Sequence, residues 1–316
     1  MPESPTPRTT RRSFVKAVLG ATVVASSPVL ATSPARAATR PAPPASPIAY
    51  VTHGGLGIVR ADGGHRRLKW ERGRNNDAVR WSPDRERLIV GTTGFDGPNP
   101  PGTPVVYDVE TETAERTPVP SGYGTIVRYW GHDWSPDGRS LAYGVHARGI
   151  RGELRHFTFA YDHVDENATV LQRSTASECR WDPHADHILV RPGDAGEGAL
   201  RLLRADGSGG EDFVQVLGGP VRHVDWVEQG ARVVFTAPSP DGSADALVGW
   251  SVPRAGGEPE RIFSYRGTVD ALTWHPDGRW VAIAAGASIQ VAPVAEQLDP
   301  VTVATTDGTP TSLHWG

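Results

Sequence analysis

The stretch WSPDGRSLAYGV, Trp134 to Val145, holds a tryptophan, a Pro-Asp-Gly turn and an alternating apolar run. The chain repeats it with variations: WSPDRERLIVGT from Trp81, WDPHADHILVRP from Trp181, WVEQGARVVFTA from Trp226 and WHPDGRWVAIAA from Trp274. With Trp315 near the far end, the tryptophans stand 53, 47, 45, 48 and 41 residues apart. A period in this range is the mark of a repeat architecture. Each unit runs in the same order: a strand ending at the Trp, a turn, a β-rich run such as RLIVGT, a Gly-rich loop, a third strand such as PVVYDV, a second turn such as ADGG, and a last strand such as DFVQVL. Four short strands per unit, with turn residues between them, predict four-stranded antiparallel blades.

One such sheet cannot bury both faces, so the units must stack. The chain itself decides between a closed ring and an open array or sandwich. Residues 47–70, PIAYVTHGGLGIVRADGGHRRLKW, form a unit without its first strand, and residues 311–316, TSLHWG, form a first strand without its unit. Joining them completes one blade and removes the exposed sheet edges. The expectation is an all-β, six-bladed β-propeller over 48–316, closed by the strand within 311–316, with each Trp in the layer between blades.

WSPDGRSLAY together with turns of the LRADGSGG type resembles the TolB-like, or WD-repeat-like, propeller family, and the resemblance covers 48–316. It implies a fold far more than an activity. TolB carries a further domain ahead of its propeller, through which it meets partners; here that position holds only a Pro-rich lead-in.

The N-terminal segment reads differently. TRRSFVK (10–16) resembles a twin-arginine export signal, followed by the apolar run AVLGATVVASSPVL (17–30) and a small-x-small site, Ala35-Arg36-Ala37. Fourteen residues fall short of the roughly 20 that a membrane-spanning helix needs. Residues 1–37 are read as a signal peptide, 38–47 as a Pro-rich linker, and the product as secreted or held in the cell envelope, with no stable membrane span after cleavage.

The full chain has 32 basic and 36 acidic residues. Without 1–37 it has 27 and 35, a net of −8, and no basic block suited to a phosphate backbone, so no nucleic-acid partner is expected. Cys179 is the only cysteine, which excludes an intrachain disulfide and suits a small core residue. No HExxH, P-loop or GxSxG motif is present.

Blade topology sorts the connections by face. The Trp-Ser-Pro-Asp-Gly and DGG turns lie on one face, where Asp84, Asp137 and Asp277 serve turn geometry. The opposite face carries the second-to-third-strand loops. Four of these are long (91–104, 145–153, 191–199 and 237–246) and two are short (THGG and AGAS), giving a rim raised over blades 2 to 5. The residues just before each Trp reach the channel mouth on that face. They supply Asn75, Asn76 and Asp77, then Tyr123, Tyr129, Trp130 and His132, then Glu178, Arg222, His223, Tyr265 and Asp270 as candidate ligand contacts. Such a set suits a sugar or a peptide.

One residue before the Trp, Arg80, Asp133, Arg180 and Asp225 alternate in sign and are expected to form inter-blade ion pairs that set register. His132, His223 and His314 stand at different offsets from their Trp, so their directions differ and no metal is assigned; nor is any cofactor. The resulting expectation is an exported, monomeric, non-catalytic binding or scaffold protein that recognises a protein or a glycan. The alternative is a secreted polysaccharide lyase or hydrolase acting at the channel mouth, as some TolB-like propellers are lyases.

Overall fold

A computed structural model describes residues 41–70, 76–92, 103–117, 122–162, 165, 167–174, 176–192, 198–215, 219–239 and 247–316. Residues 1–40, with the signal peptide, lie outside them, as do Asn75, most of loop 91–104, and parts of loops 191–199 and 237–246. The side chains of Asn76 and Asp77 also lie outside the description.

The described chain forms six four-stranded antiparallel sheets, arranged as a six-bladed β-propeller. Blade 1 has Ser312–Trp315 innermost, then Ile48–Thr52, Gly55–Val59 and His65–Arg67. The C-terminal strand pairs Ile48 with Trp315 and Val51 with Ser312, so the ring closes as the split unit requires. The inner strands of blades 2 to 6 are Asn76–Trp81, Thr125–Trp134, Ala176–Trp181, Arg222–Val227 and Ala271–Trp274.

The core is six apolar layers, one between each pair of neighbouring blades. Trp315 lies between blades 6 and 1 with Ile48 and Ile289. Trp81 lies between blades 1 and 2, and Trp134 between blades 2 and 3. Trp226 lies between blades 4 and 5 and Trp274 between blades 5 and 6, while Trp181 packs at the edge of the layer between blades 3 and 4 that buries Cys179. A Trp at this position covers the face that a single blade would leave wet, which is why the repeat retains it.

The turn after each Trp is locked by side chains. Ser135 Oγ donates to Asp137 at 2.5 Å and accepts from the Ser140 amide at 2.8 Å, while Asp137 accepts from the Arg139 amide at 3.0 Å. Blade 2 repeats this with Ser82 and Asp84. In blade 4 Asp182 replaces the Ser; it is fully buried and ion-paired with Arg254, which also lies 5.5 Å over the Trp226 ring. No helix among the described residues is long and apolar enough to cross a membrane.

Candidate functional site

The inner strand of a propeller blade has an open edge facing the axis, and its amide groups need partners. At Trp81, Trp181 and Trp315 the partner is the residue just before the Trp of the preceding blade. His314 Nδ1 accepts from the Trp81 amide at 2.8 Å, Asp133 from the Trp181 amide at 2.7 Å, and Thr273 from the Trp315 amide at 3.3 Å. The alternation of Arg80, Asp133, Arg180 and Asp225 therefore does not resolve into ion pairs between neighbours. Asp133 caps a main-chain amide. Arg180 donates through Nε to the Val224 carbonyl and through Nη1 to the Cys179 carbonyl, both at 2.7 Å. Arg80 reaches across the axis to Asp225, 2.7 Å away on the opposite blade. All four side chains turn inward, and in a channel this narrow the nearest free charge lies across the axis.

Above this charged layer the channel widens into a cavity of about 300 Å³. Its walls come from all six blades and include Arg128, Trp130, His132, Glu178, His223 and Asp270. Arg80, Arg180 and Asp225 also line it.

The inner strands of blades 2, 3, 4 and 5 each carry a β-bulge just before the Trp: between Asn76 and Ala78, Trp130 and His132, Ala176 and Glu178, and Arg222 and Asp225. Blades 1 and 6 pair without interruption. These are the same four blades that have the long loops. A bulge adds one residue to one strand and re-aims its side chains. In blade 3 the bulged residue is Gly131, at φ +45°, where a Cβ would meet the Glu178 main chain at 2.7 Å. In blade 5 His223 takes a positive φ of 49° and bonds Thr236 through Nδ1 at 2.8 Å.

The bulges separate the sequence candidates. Trp130, His132, Glu178, His223 and Asp270 line the cavity. Tyr129 does not: it is 1% exposed and packs on Tyr143, with burial pushing its hydroxyl well above the usual phenol range. Tyr123 packs edge-on against Phe159 at 4.7 Å, and Tyr265 joins the layer between blades 5 and 6. Arg222 is exposed away from the cavity. A second bulge, between Ile126 and Arg128, explains the blade 3 outcome: the buried positions are 126, 129, 132 and 134, so alternation counted back from Trp134 loses phase twice. The same slip hid Arg128, whose guanidinium lies 3.4 Å over the Trp130 ring.

Loop 145–153 is mostly strand. Ser140–Arg148 and Leu154–Asp162 form a hairpin of nine-residue arms, turning through 149–153. Its tip leaves Ile150 and Leu154 in solvent, at 104% and 56% exposure. Toward the cavity its flank carries His146 and His156 in edge contact at 4.4 Å, with Trp130 5.6 Å from His146.

Burial pushes His223 down to about 4, against a lesser upward pull from Glu178, and His314 is held well below the imidazole range by burial and then by Arg80 and Arg180. Burial opposes the charge on Arg80, but Asp225 and Asp133 raise it above its ordinary value. Burial raises Asp133. Arg180 is lowered by burial and then by Arg80. Among the described residues, one group of three metal-type ligands converges within 4.8 Å: Asp182, Asp186 and His187, on the opposite face and already holding Arg254. His132, His223 and His314 do not converge.

No family model matches the chain. A curated relative, an uncharacterized protein of Agrobacterium fabrum, is 26% identical over 271 residues, covering 67% of this chain and 85% of its own length. Among solved structures, TolB from Acinetobacter baumannii is similar with a TM-score of 0.67 at 15% identity, over 85% of this chain; the chain spans 66% of that TolB's length. An oligogalacturonate lyase in complex with manganese has a TM-score of 0.53 at 14% identity, over 76% of this chain and 68% of its own. At these identities the likeness is one of fold, that of TolB-like six-bladed propellers.

Proposed function

We propose that this chain is an exported, monomeric, non-catalytic binding module that recognises a protein or an envelope glycan on its long-loop face. The observation that carries this reading is the coincidence on blades 2 to 5 of long loops and bulged inner strands around one cavity. Bulges cost ladder hydrogen bonds, and they gather where side chains must be aimed. The blade 3 hairpin adds an apolar tip beside that cavity, suited to contact with a partner surface. Residues 1–37 act as a leader, 38–47 as a linker, and the mature propeller works in the envelope or outside the cell.

The lyase reading draws on fold likeness to the oligogalacturonate lyase. Against it, His132, His223 and His314 bring no three ligand atoms within 4.8 Å of one another, and His314 and His223 are tied to the Trp81 amide and to Thr236.

Two measurements test the proposal. N-terminal sequencing of protein recovered from envelope and medium should begin at Ala38. Affinity capture from envelope extract should lose its specific partner when residues 149–153 are replaced by a two-residue turn; an unchanged profile overturns the long-loop-face reading.

A further inference from the structure

Arg128 and Arg180 line one cavity, and neither has a carboxylate within ion-pair distance among the described residues. Arg180 is 9% exposed. Its Nε and Nη1 are spent on main-chain carbonyls, and its Nη2 makes no hydrogen bond to the described residues. Burial opposes its charge and Glu178, Asp225 and Asp133 favour it, but none of these carboxylates meets the fork itself, which leaves that face open to an anion. Arg128 stands over the Trp130 ring with its buried Nε unbonded, which braces the fork at the cavity wall.

The acids facing the cavity are already engaged. Asp225 holds Arg80 at 2.7 Å. Glu178 lies 3.9 Å from Arg191 and 3.4 Å from the Val224 amide, and Asp270 accepts from the Gly286 amide at 2.7 Å. Asp133, beneath, caps the Trp181 amide. Arg80, Arg128 and Arg180 line the cavity together with Asp225, Glu178 and Asp270, so the charges match in number, but only Arg80 is ion-paired within this set and the forks of Arg128 and Arg180 stay open to a ligand. A planar fork prefers a planar, bidentate acceptor.

We propose that the cavity is a binding site for a carboxylate-bearing ligand, with Arg180 holding the carboxylate at depth and Arg128, braced on Trp130, closing over it. This rests on the long-loop face being the binding face and names the group it recognises. The Arg80–Asp225 pair lines the same cavity and is already satisfied, so the carboxylate is left to Arg128 and Arg180.

Calorimetric titration of the purified propeller tests this with matched probes: an acetylated dipeptide with a free C-terminus against its amide, and glucuronate against glucose. The carboxylate member of at least one pair should bind at least tenfold more tightly than its neutral partner, and the pair that discriminates identifies a peptide or a sugar source. Arg128→Gln, at the rim, should weaken that binding about tenfold with an unchanged melting temperature. Arg180→Lys, which keeps the charge and loses the fork, should weaken it further. Equal binding within both pairs, no binding by any probe, or unchanged affinity in Arg128→Gln overturns the carboxylate site. If the probes fail while envelope capture still depends on residues 149–153, the carboxylate site falls and the binding module stands. If a carboxylate probe binds while capture is indifferent to the hairpin, the site stands and the partner surface falls.

Discussion

Arg80 and Asp225 project from opposite blades and meet on the axis at 2.7 Å, with side chains 8% and 18% exposed. Removing one partner of such a pair leaves a buried charge without compensation, whereas removing both leaves a cavity without that charge. Asp225→Asn should therefore cost about 3 kcal/mol in urea unfolding, and Arg80→Met with Asp225→Leu should recover a large part of it. Equal losses in the single and double variants would show that the pair adds nothing specific.

Acid sensitivity should trace to the channel histidines. His223 falls from 6.5 to about 4 in the fold, so between those values the unfolded chain binds a proton that the folded chain does not. Its stabilising contribution is complete above about pH 6.5 and is lost as pH falls toward 4; His314 acts in the same direction. His223→Asn keeps a residue tolerant of positive φ and able to bond Thr236. Its melting temperature should fall less steeply from pH 7 to pH 4.5 than that of the wild type.

Gly131→Ala tests the blade 3 bulge. The new methyl group would press on the Glu178 main chain from a left-handed backbone position. A loss of about 1–3 kcal/mol is expected. Tryptophan fluorescence should report movement at Trp130, and a silent spectrum with full stability would show the bulge to be freely adjustable.

The Asp182–Arg254 pair offers a rescue experiment. Arg254→Ala leaves a fully buried carboxylate without its cation, and about 3 kcal/mol should be lost. Adding Asp182→Ser restores the residue that blades 2 and 3 use at this turn, and thermal melts should return most of the stability.

Blade number, closure and the inter-blade place of the Trp residues were legible because each is a matter of spacing. That Trp130, His132, Glu178, His223 and Asp270 line the channel was legible for the same reason, since position before the Trp sets height along the axis. Tyr129 and Arg128 were not, because a one-residue bulge exchanges the faces of everything beyond it and leaves no mark in composition. The Arg80–Asp225 contact was also hidden: linear order shows that both side chains turn inward but not which charge each meets. Residues 145–153 read as a loop because Gly149 and Gly152 dominate the centre, whereas the pairs His146–His156 and Val145–Phe157 carry the strands into that segment.

The strand that completes blade 1 is made after the rest of the ring. Until Ser312–Trp315 emerges from the ribosome, Ile48–Thr52 waits with an open edge, and the first and last blades have no mutual wall. No circular structure is possible until the propeller has been synthesised through Trp315, and a product cut short within it is left with a sticky margin. Synthesis of the whole ring and correctness of its shape become a single checkpoint.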